Sequence, residues 1–192
     1  RPTTFKKRYL VENQKLFRVS KLSDHLLSNE IEDKLIKKIE EITPFVNGIV
    51  ISDFVYGVIT EKIIQKVLFL SKKYNLKIFG DLQCSSQIGV ATKFKDFTLL
   101  CPNEREARIA LQDKESGLEN LSNKFIAETN SEKLIMKLGA QGFIAYYKQK
   151  SGNFIGQPFP SLSVNPLDVS GAGDSLLALM ATGLSADNDF LS

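Results

Sequence analysis

Asp168-Val169-Ser170-Gly171-Ala172-Gly173-Asp174-Ser175 is the stretch of this chain with the clearest capacity for chemistry. Two glycines separated by one small residue let successive backbone N–H groups turn toward a common point. The apolar run from Leu176 to Leu184 reads as a helix. Its first N–H groups and the positive end of its dipole add to the same attraction for an anion. A carboxylate planted in such a turn, as Asp174 is, can accept a proton from a hydroxyl that attacks a bound phosphate. The plainer alternative is that Asp168 or Asp174 merely caps the helix, and a short G-x-G-D string does not choose between the two.

Such a turn needs a scaffold, and strand-like and helix-like segments alternate along the rest of the chain. Thr3 to Ser20 reads as two short strands joined near Asn13, an antiparallel hairpin carrying Lys6, Lys7, Arg8 and Arg18. Those basic residues either face an anionic ligand or keep a strand edge soluble. Ser28 to Ile42 has helical spacing, with Asn29 and Glu32 suited to a capping box, and Pro44 ends it. Gly48 to Ile51 is an apolar strand of the buried kind, followed by Ser52-Asp53-Phe54. Thr60 opens a helix through Tyr74; Leu76 to Phe79 is the next strand, ending at Gly80-Asp81. Phe97 to Cys101 is a strand closed by Pro102, Asn103 to Glu106 open a helix, and Ser116 to Thr129 form another. Lys133 to Leu138 and Phe143 to Tyr147 are strands joined by Gly139-Ala140-Gln141-Gly142, and an extended region with three prolines leads to the glycine turn.

This alternation implies an α/β fold with a mainly parallel central sheet. Ligands of such sheets bind beyond the carboxyl ends of the strands, where Asp53, Asp81, Asn103, Glu106, Gly139 and Asp168 are expected. Polar residues follow strands in every α/β protein, so this clustering gains weight only together with the glycine turn.

The 192 residues are 43% hydrophobic, enough for one sizeable core. A net charge of +3, with lysines spread along the chain, gives no reason to expect a nucleic-acid partner. Two cysteines without paired spacing and a single histidine, His25, suggest neither a disulfide framework nor a zinc site; Cys101 reads as a buried thiol. No apolar run reaches membrane-spanning length and no secretory pattern opens the chain, so a cytoplasmic protein without a membrane partner is expected. The opening at Arg1 and the close soon after the glycine helix suggest a fragment.

The string from Asp168 to Ser175 resembles the second signature of the ribokinase-like carbohydrate kinases, the phosphofructokinase-B type. Asn103-Glu104-Arg105-Glu106 resembles that family's N-x-x-E element, and Lys137-Leu138-Gly139-Ala140-Gln141-Gly142 its T-L-G-x-x-G nucleotide loop. Ser52-Asp53-Phe54 resembles its S-D-Y segment. Within the family, Thr3 to Arg8 and Asn13 to Arg18 are most similar to members that phosphorylate D-glycero-D-manno-heptose 7-phosphate at the anomeric carbon, often as the first half of a bifunctional kinase and adenylyltransferase.

The resemblance implies a three-layer ribokinase-like fold, residues 1–192 being a partial kinase domain with a lid hairpin at 1–20 and a nucleotide-binding α/β core at 29–192. It implies ATP and Mg2+, and a small-molecule sugar phosphate as acceptor. Asp174 matches the general base, and Gly171, Ala172 and Gly173 match the anion hole. Asn103, Glu104, Arg105 and Glu106 match the triphosphate-holding element, with Glu106 reaching magnesium through water. Lys137, Gly139 and Gly142 match the ribose and adenine loop. Lys6, Arg8, Asn13, Arg18 and Asp53 match substrate positions, and the hairpin is implied to clasp a second copy as a homodimer. Asp168 and Ser170 match positions that bind a monovalent cation, K+, in some members.

Four positions depart from the family pattern. Tyr56 and Gln83 stand where close relatives carry Lys, Ser20 replaces an Asp, and Lys137 replaces a Thr. Three functional readings therefore remain: a kinase of heptose 7-phosphate, a kinase of another sugar or sugar phosphate, and an inactive nucleotide-binding domain of the same fold. A dinucleotide oxidoreductase fits poorly, because no G-x-G-x-x-G follows the first strand.

Overall fold

Six strands form one sheet in the order in which the chain makes them: β3 (Gly48–Asp53), β4 (Lys77–Leu82), β5 (Leu99–Leu100), β6 (Lys133–Lys137), β7 (Phe143–Lys148) and β8 (Phe154–Phe159). Pairings from β3 to β6 are parallel, and β7 and β8 are added antiparallel. Before them, β1 (Phe5–Val11) and β2 (Gln14–Lys21) make a separate antiparallel hairpin. The helices are α1 (Asn29–Ile42), α2 (Glu61–Tyr74), α3 (Glu104–Leu111), α4 (Leu118–Thr129) and α5 (Ala172–Ser185). The computed structural model describes residues 2–11, 14–83, 91–149, 151–161 and 171–191.

Strand alternation divides the core into two faces. Ile51, Ile78, Leu100, Leu134 and Met136 point to one side, where α1 to α4 bring Ile36, Ile63, Ile64, Val67, Ala107, Leu121, Phe125 and Ile126. Phe79, Leu99, Cys101 and Ile135 point to the other, where α5 seats Leu177, Ala181 and Leu184. Burying Leu177 and Leu184, each under 10% exposed, contributes about 1.5–3 kcal/mol apiece to holding α5 on the sheet. The Lys77 ammonium fastens the far end of α5, donating to the Leu184 carbonyl and pairing with Asp187.

Helix α2 begins as expected, with Thr60 Oγ1 accepting from Ile63 N–H, and ends at Asn75 in the left-handed region. The start of α1 differs from expectation. Ser28, not Asn29, is the cap residue and makes no side-chain cap hydrogen bond. Glu32 does not fold back to close a capping box. It accepts from the Thr60 hydroxyl and lies 3.4 Å from Lys62, so a tertiary partner won over the local one. Strand β5 is shorter than the expected Phe97–Cys101. Thr98 N–H and Cys101 N–H nevertheless bond to the Ile78 and Gly80 carbonyls, so the pairing to β4 runs past the regular ladder at both ends.

Candidate active site

Alternation within two strands builds the centre of the site. In β4, Ile78 and Leu82 serve the four-helix face, so Phe79 and Asp81 point toward α5. In β6, Leu134 and Met136 serve the four-helix face, so Ile135 and Lys137 point toward α5. Asp81 and Lys137 therefore meet above the carboxyl end of the sheet. The Lys137 ammonium lies 3.0 and 2.9 Å from the two Asp81 carboxylate oxygens. The Asp81 side chain is 1% exposed and that of Lys137 17%. Burial pushes the Asp81 carboxyl above the usual range; Lys137 opposes this shift, and the charge of Asp174 adds to it.

The glycine turn completes the arrangement. Gly171 has φ +82°, and Ser175 N–H to the Gly171 carbonyl, 2.8 Å, is the first bond of α5. The N–H groups of Ala172, Gly173 and Asp174 precede that first bond, as the opening donors of a helix do. Asp174 is exposed in that first turn, and its Oδ1 accepts from Gln83 Nε2 at 2.7 Å. Gly173 lies directly against Lys137: a Cβ at that position would sit 3.2 Å from Nζ and 3.9 Å from Asp81 Oδ2.

The start of α3 flanks this centre. Lys137 N–H donates to the Pro102 carbonyl at 2.9 Å, and Asn103 bridges to Lys137. Asn103 and Glu106 form a reciprocal capping box, both bonds 2.8 Å long. Glu106 is 6% exposed, and one of its carboxylate oxygens accepts the Asn103 N–H. Among the described residues, no three His, Cys, Asp or Glu side chains converge as a metal site. Glu104 is tied to Arg108 at 2.7 Å, and the exposed Arg105 lines a groove on α3 with Arg108, Gln112 and Lys114. Gly139 and Gly142 bound the tight connection between β6 and β7, which Leu138 N–H closes onto the Gly142 carbonyl at 2.8 Å.

Other expected positions fall elsewhere. Asp53 has the parity of Ile51 and faces away from α5; it pairs with Lys93 and accepts from Val55 N–H at 2.9 Å. On the hairpin, Arg8 and Arg18 stand directly opposite each other, and Lys6 has the same parity. The Lys6 ammonium lies 5.0 and 4.9 Å from the Phe54 and Tyr56 ring centroids, which turns this basic face toward the loop after β3. The opposite face presents Phe5, Tyr9, Phe17 and Val19 outward, Tyr9 and Phe17 stacked at 4.4 Å. Asn13, Asp168 and Ser170 lie outside the described residues. Lys137, which the resemblance assigns to the ribose and adenine loop, directs its side chain to Asp81 and the first turn of α5. Gln83 stood out only as a departure, and Lys93 was missed altogether. The period-two parity of β4 and β6 is the signal that places Asp81 and Lys137 together; no local signal marks Lys93.

A family model described as pfkB family carbohydrate kinase matches residues 49–191. The chain belongs to this family. Among curated relatives it is similar to the bifunctional protein HldE of Trichlorobacter lovleyi, 28% identical over 96% of this chain and 37% of that protein. It is likewise similar to HldE of Campylobacter jejuni serotype O:2, 31% identical over 94% of this chain and 37% of the relative. The chain thus spans little more than a third of the length of these relatives. Among solved structures, phosphofructokinase-2 from Escherichia coli in complex with substrates and products superposes with a TM-score of 0.71 at 15% identity, covering 97% of this chain and 59% of that one. Arabidopsis thaliana ribokinase complexed with ribose and ATP gives a TM-score of 0.62 at 17% identity, covering 92% and 54%. These two likenesses establish a ribokinase-like fold. Among the described residues, no helix is long and apolar enough to cross a membrane.

Proposed function

We propose that this chain is part of a cytoplasmic ATP-dependent sugar kinase whose acceptor is a sugar phosphate, with heptose 7-phosphate phosphorylated at its anomeric hydroxyl as the specific reaction. One observation supports the kinase assignment: Asp174 is exposed in the first turn of α5, held by Gln83 beside the opening N–H groups of that helix. In the reaction the acceptor hydroxyl oxygen forms a bond to the γ-phosphorus as the β,γ-bridging P–O bond breaks, and ADP leaves. The hydroxyl proton passes to the Asp174 carboxylate. The backbone of Gly171, Ala172 and Gly173 stabilises the charge on the migrating group. Magnesium, when bound with the triphosphate, would supply charge neutralisation, and Glu106 is the residue that would help hold it. Asn103, Glu104 and Arg105 would border the triphosphate and Gly139 and Gly142 the nucleoside, and the family resemblance assigns a monovalent cation, K+, to Asp168 and Ser170.

The sugar phosphate assignment draws on the hairpin. Arg8 and Arg18 are paired directly across it, and Lys6 lies on the same face. With Lys6 they would receive the acceptor's phosphate, the hairpin acting as a lid over the α/β core; Asn13 is assigned to the substrate by the family resemblance alone. The specific sugar follows the likeness of Thr3–Arg18 to heptose phosphate kinases and the relatives named HldE. Asp53, on the far face, would then act on substrate only through the loop after β3. The outward apolar face of the hairpin suits a homodimer.

Asp174→Asn in the full-length protein tests the assignment. Removing a general base should lower kcat by roughly 10²–10⁴-fold while MgATP binding is kept. Near-normal phosphorylation of heptose 7-phosphate by that variant would defeat the role of Asp174. Activity of the unaltered protein on other sugar phosphates but not on this one would move the substrate and leave the chemistry in place.

A further inference from the structure

The Lys137 ammonium occupies a place that a purely structural ion pair does not need. It reaches from the last residue of β6 to Asp81 on β4, passing over β5, and comes to rest against the first turn of α5. Gly173 leaves room for it: even a methyl group there would come within 3.2 Å of Nζ. A buried ion pair adds little stability over a well-packed apolar pair, so folding alone is a weak reason to keep this one. The electrostatics point the same way. The charge of Asp174 is felt at Asp81, and Lys137 opposes it, so the ammonium offsets negative charge beside a turn that would receive a phosphate. An ammonium has three donors, and Asp81 offers only two oxygens. The Lys137 side chain also keeps 17% of its surface open, whereas Asp81 is sealed at 1%.

We propose that Lys137 is a catalytic residue that contacts the transferring phosphoryl group directly, its ammonium held by Asp81 against the Gly173 backbone. The inference rests on the kinase reading of the same turn. Asp81 is then a positioning residue: it fixes the ammonium where the N–H groups of α5 converge. Gln83 holds the Asp174 carboxylate on the adjoining side, so cation and proton acceptor have separate supports.

The experiment compares the full-length protein with Lys137→Met, Asp81→Asn/Lys137→Met and Asp174→Asn. The double variant removes the pair without stranding a buried charge and so guards against loss of fold. Melting temperature, dissociation constants for MgATP and MgADP, and kcat are measured for each. Both Lys137 variants should lose roughly 10²–10³-fold in kcat, as on removal of one charge-stabilising donor, together with most of the preference for MgATP over MgADP. The double variant should melt near the unaltered protein and still show both defects. Asp174→Asn should lose turnover and keep the nucleotide preference. A double variant with unaltered kcat and nucleotide preference overturns the role of Lys137, and if Asp174→Asn is inactive in the same series the kinase reading stands. Loss of nucleotide preference through Lys137, in a protein that phosphorylates no sugar of a broad panel, supports the phosphate contact and defeats the kinase reading. Failure of the unaltered protein to bind MgATP defeats both.

Discussion

Two glycines with the same backbone angle offer a controlled test of the loop that carries Lys137. Gly142 and Gly152 both have φ +93°. Around Gly152 a Cβ would meet nothing within 4 Å. At Gly142 a Cβ would lie 2.6 Å from the Pro160 carbonyl carbon and 2.7 Å from the Ser161 nitrogen, and closer still to the Phe159 carbonyl oxygen. All three are backbone atoms at the end of β8, so no side-chain rotation relieves the overlap. Gly152→Ala therefore has only the conformational cost of an L-residue at positive φ, about 1–2 kcal/mol. Gly142→Ala has a conformational cost of that kind plus about 1–3 kcal/mol for forcing packed segments apart, a total of about 2–5 kcal/mol. For a domain whose net stability is about 5–15 kcal/mol this is a large fraction. Urea titration followed by far-UV circular dichroism is the assay. With a slope of about 1–3 kcal/mol per molar, the Gly142→Ala midpoint should fall on the order of 1 M below that of Gly152→Ala. Coincident midpoints would refute the reasoning, because they would mean that β8 and the β6–β7 connection separate without cost.

Two further outcomes follow from buried or hydrogen-bonded titratable groups. Cys101 is 0% exposed, and burial pushes its thiol up to about 12, so iodoacetamide at pH 8 should leave it unmodified in the folded protein and label it in urea; native-state labelling at the rate of a free thiol would contradict this burial. Asp113 is held well below the usual carboxylate range by Lys124 at 2.6 Å, by Ser116 through its N–H and hydroxyl, and by Glu115 N–H. A depressed carboxylate contributes stability that is present above its unfolded value near 3.9 and lost as pH falls toward its folded value. Asp113→Asn should therefore flatten the fall in melting temperature below about pH 4, and parallel curves for the two proteins would exclude that contribution.

Much of the architecture was legible because it rests on local signals. Thr60 and Asn103 begin their helices where cap chemistry predicts, and helical spacing located the helix that ends at Ile42, although Ile31 and Ile42 of that spacing are exposed. The parallel order of β3 to β6 followed from alternation with helices. Tertiary competition defeated the α1 cap, where Glu32 serves Thr60 of the next helix. The site was legible as a set of strand-end residues but not as a geometry. Counting strand ends treated Asp53 and Asp81 alike, yet the parity of Ile51 and Phe79 sends them to opposite faces. Lys137 was visible as an unusual residue at a loop. Its partner lies 56 positions away along the chain, and only the sheet brings the two together.

The sheet order has a consequence for how the site comes into being. From β3 to β8 each strand joins the one made just before it, so ladder formation closes only modest loops. α5 departs from that economy: it returns across the whole sheet, and Lys77 and Leu184, which it unites, are 107 positions apart. Asp174 and Gly173 travel with it. Strands β4 and β6 can thus place Asp81 beside Lys137 while the glycine turn is still distant, and Gly173 joins them only through the long closure that returns Leu184 to Lys77.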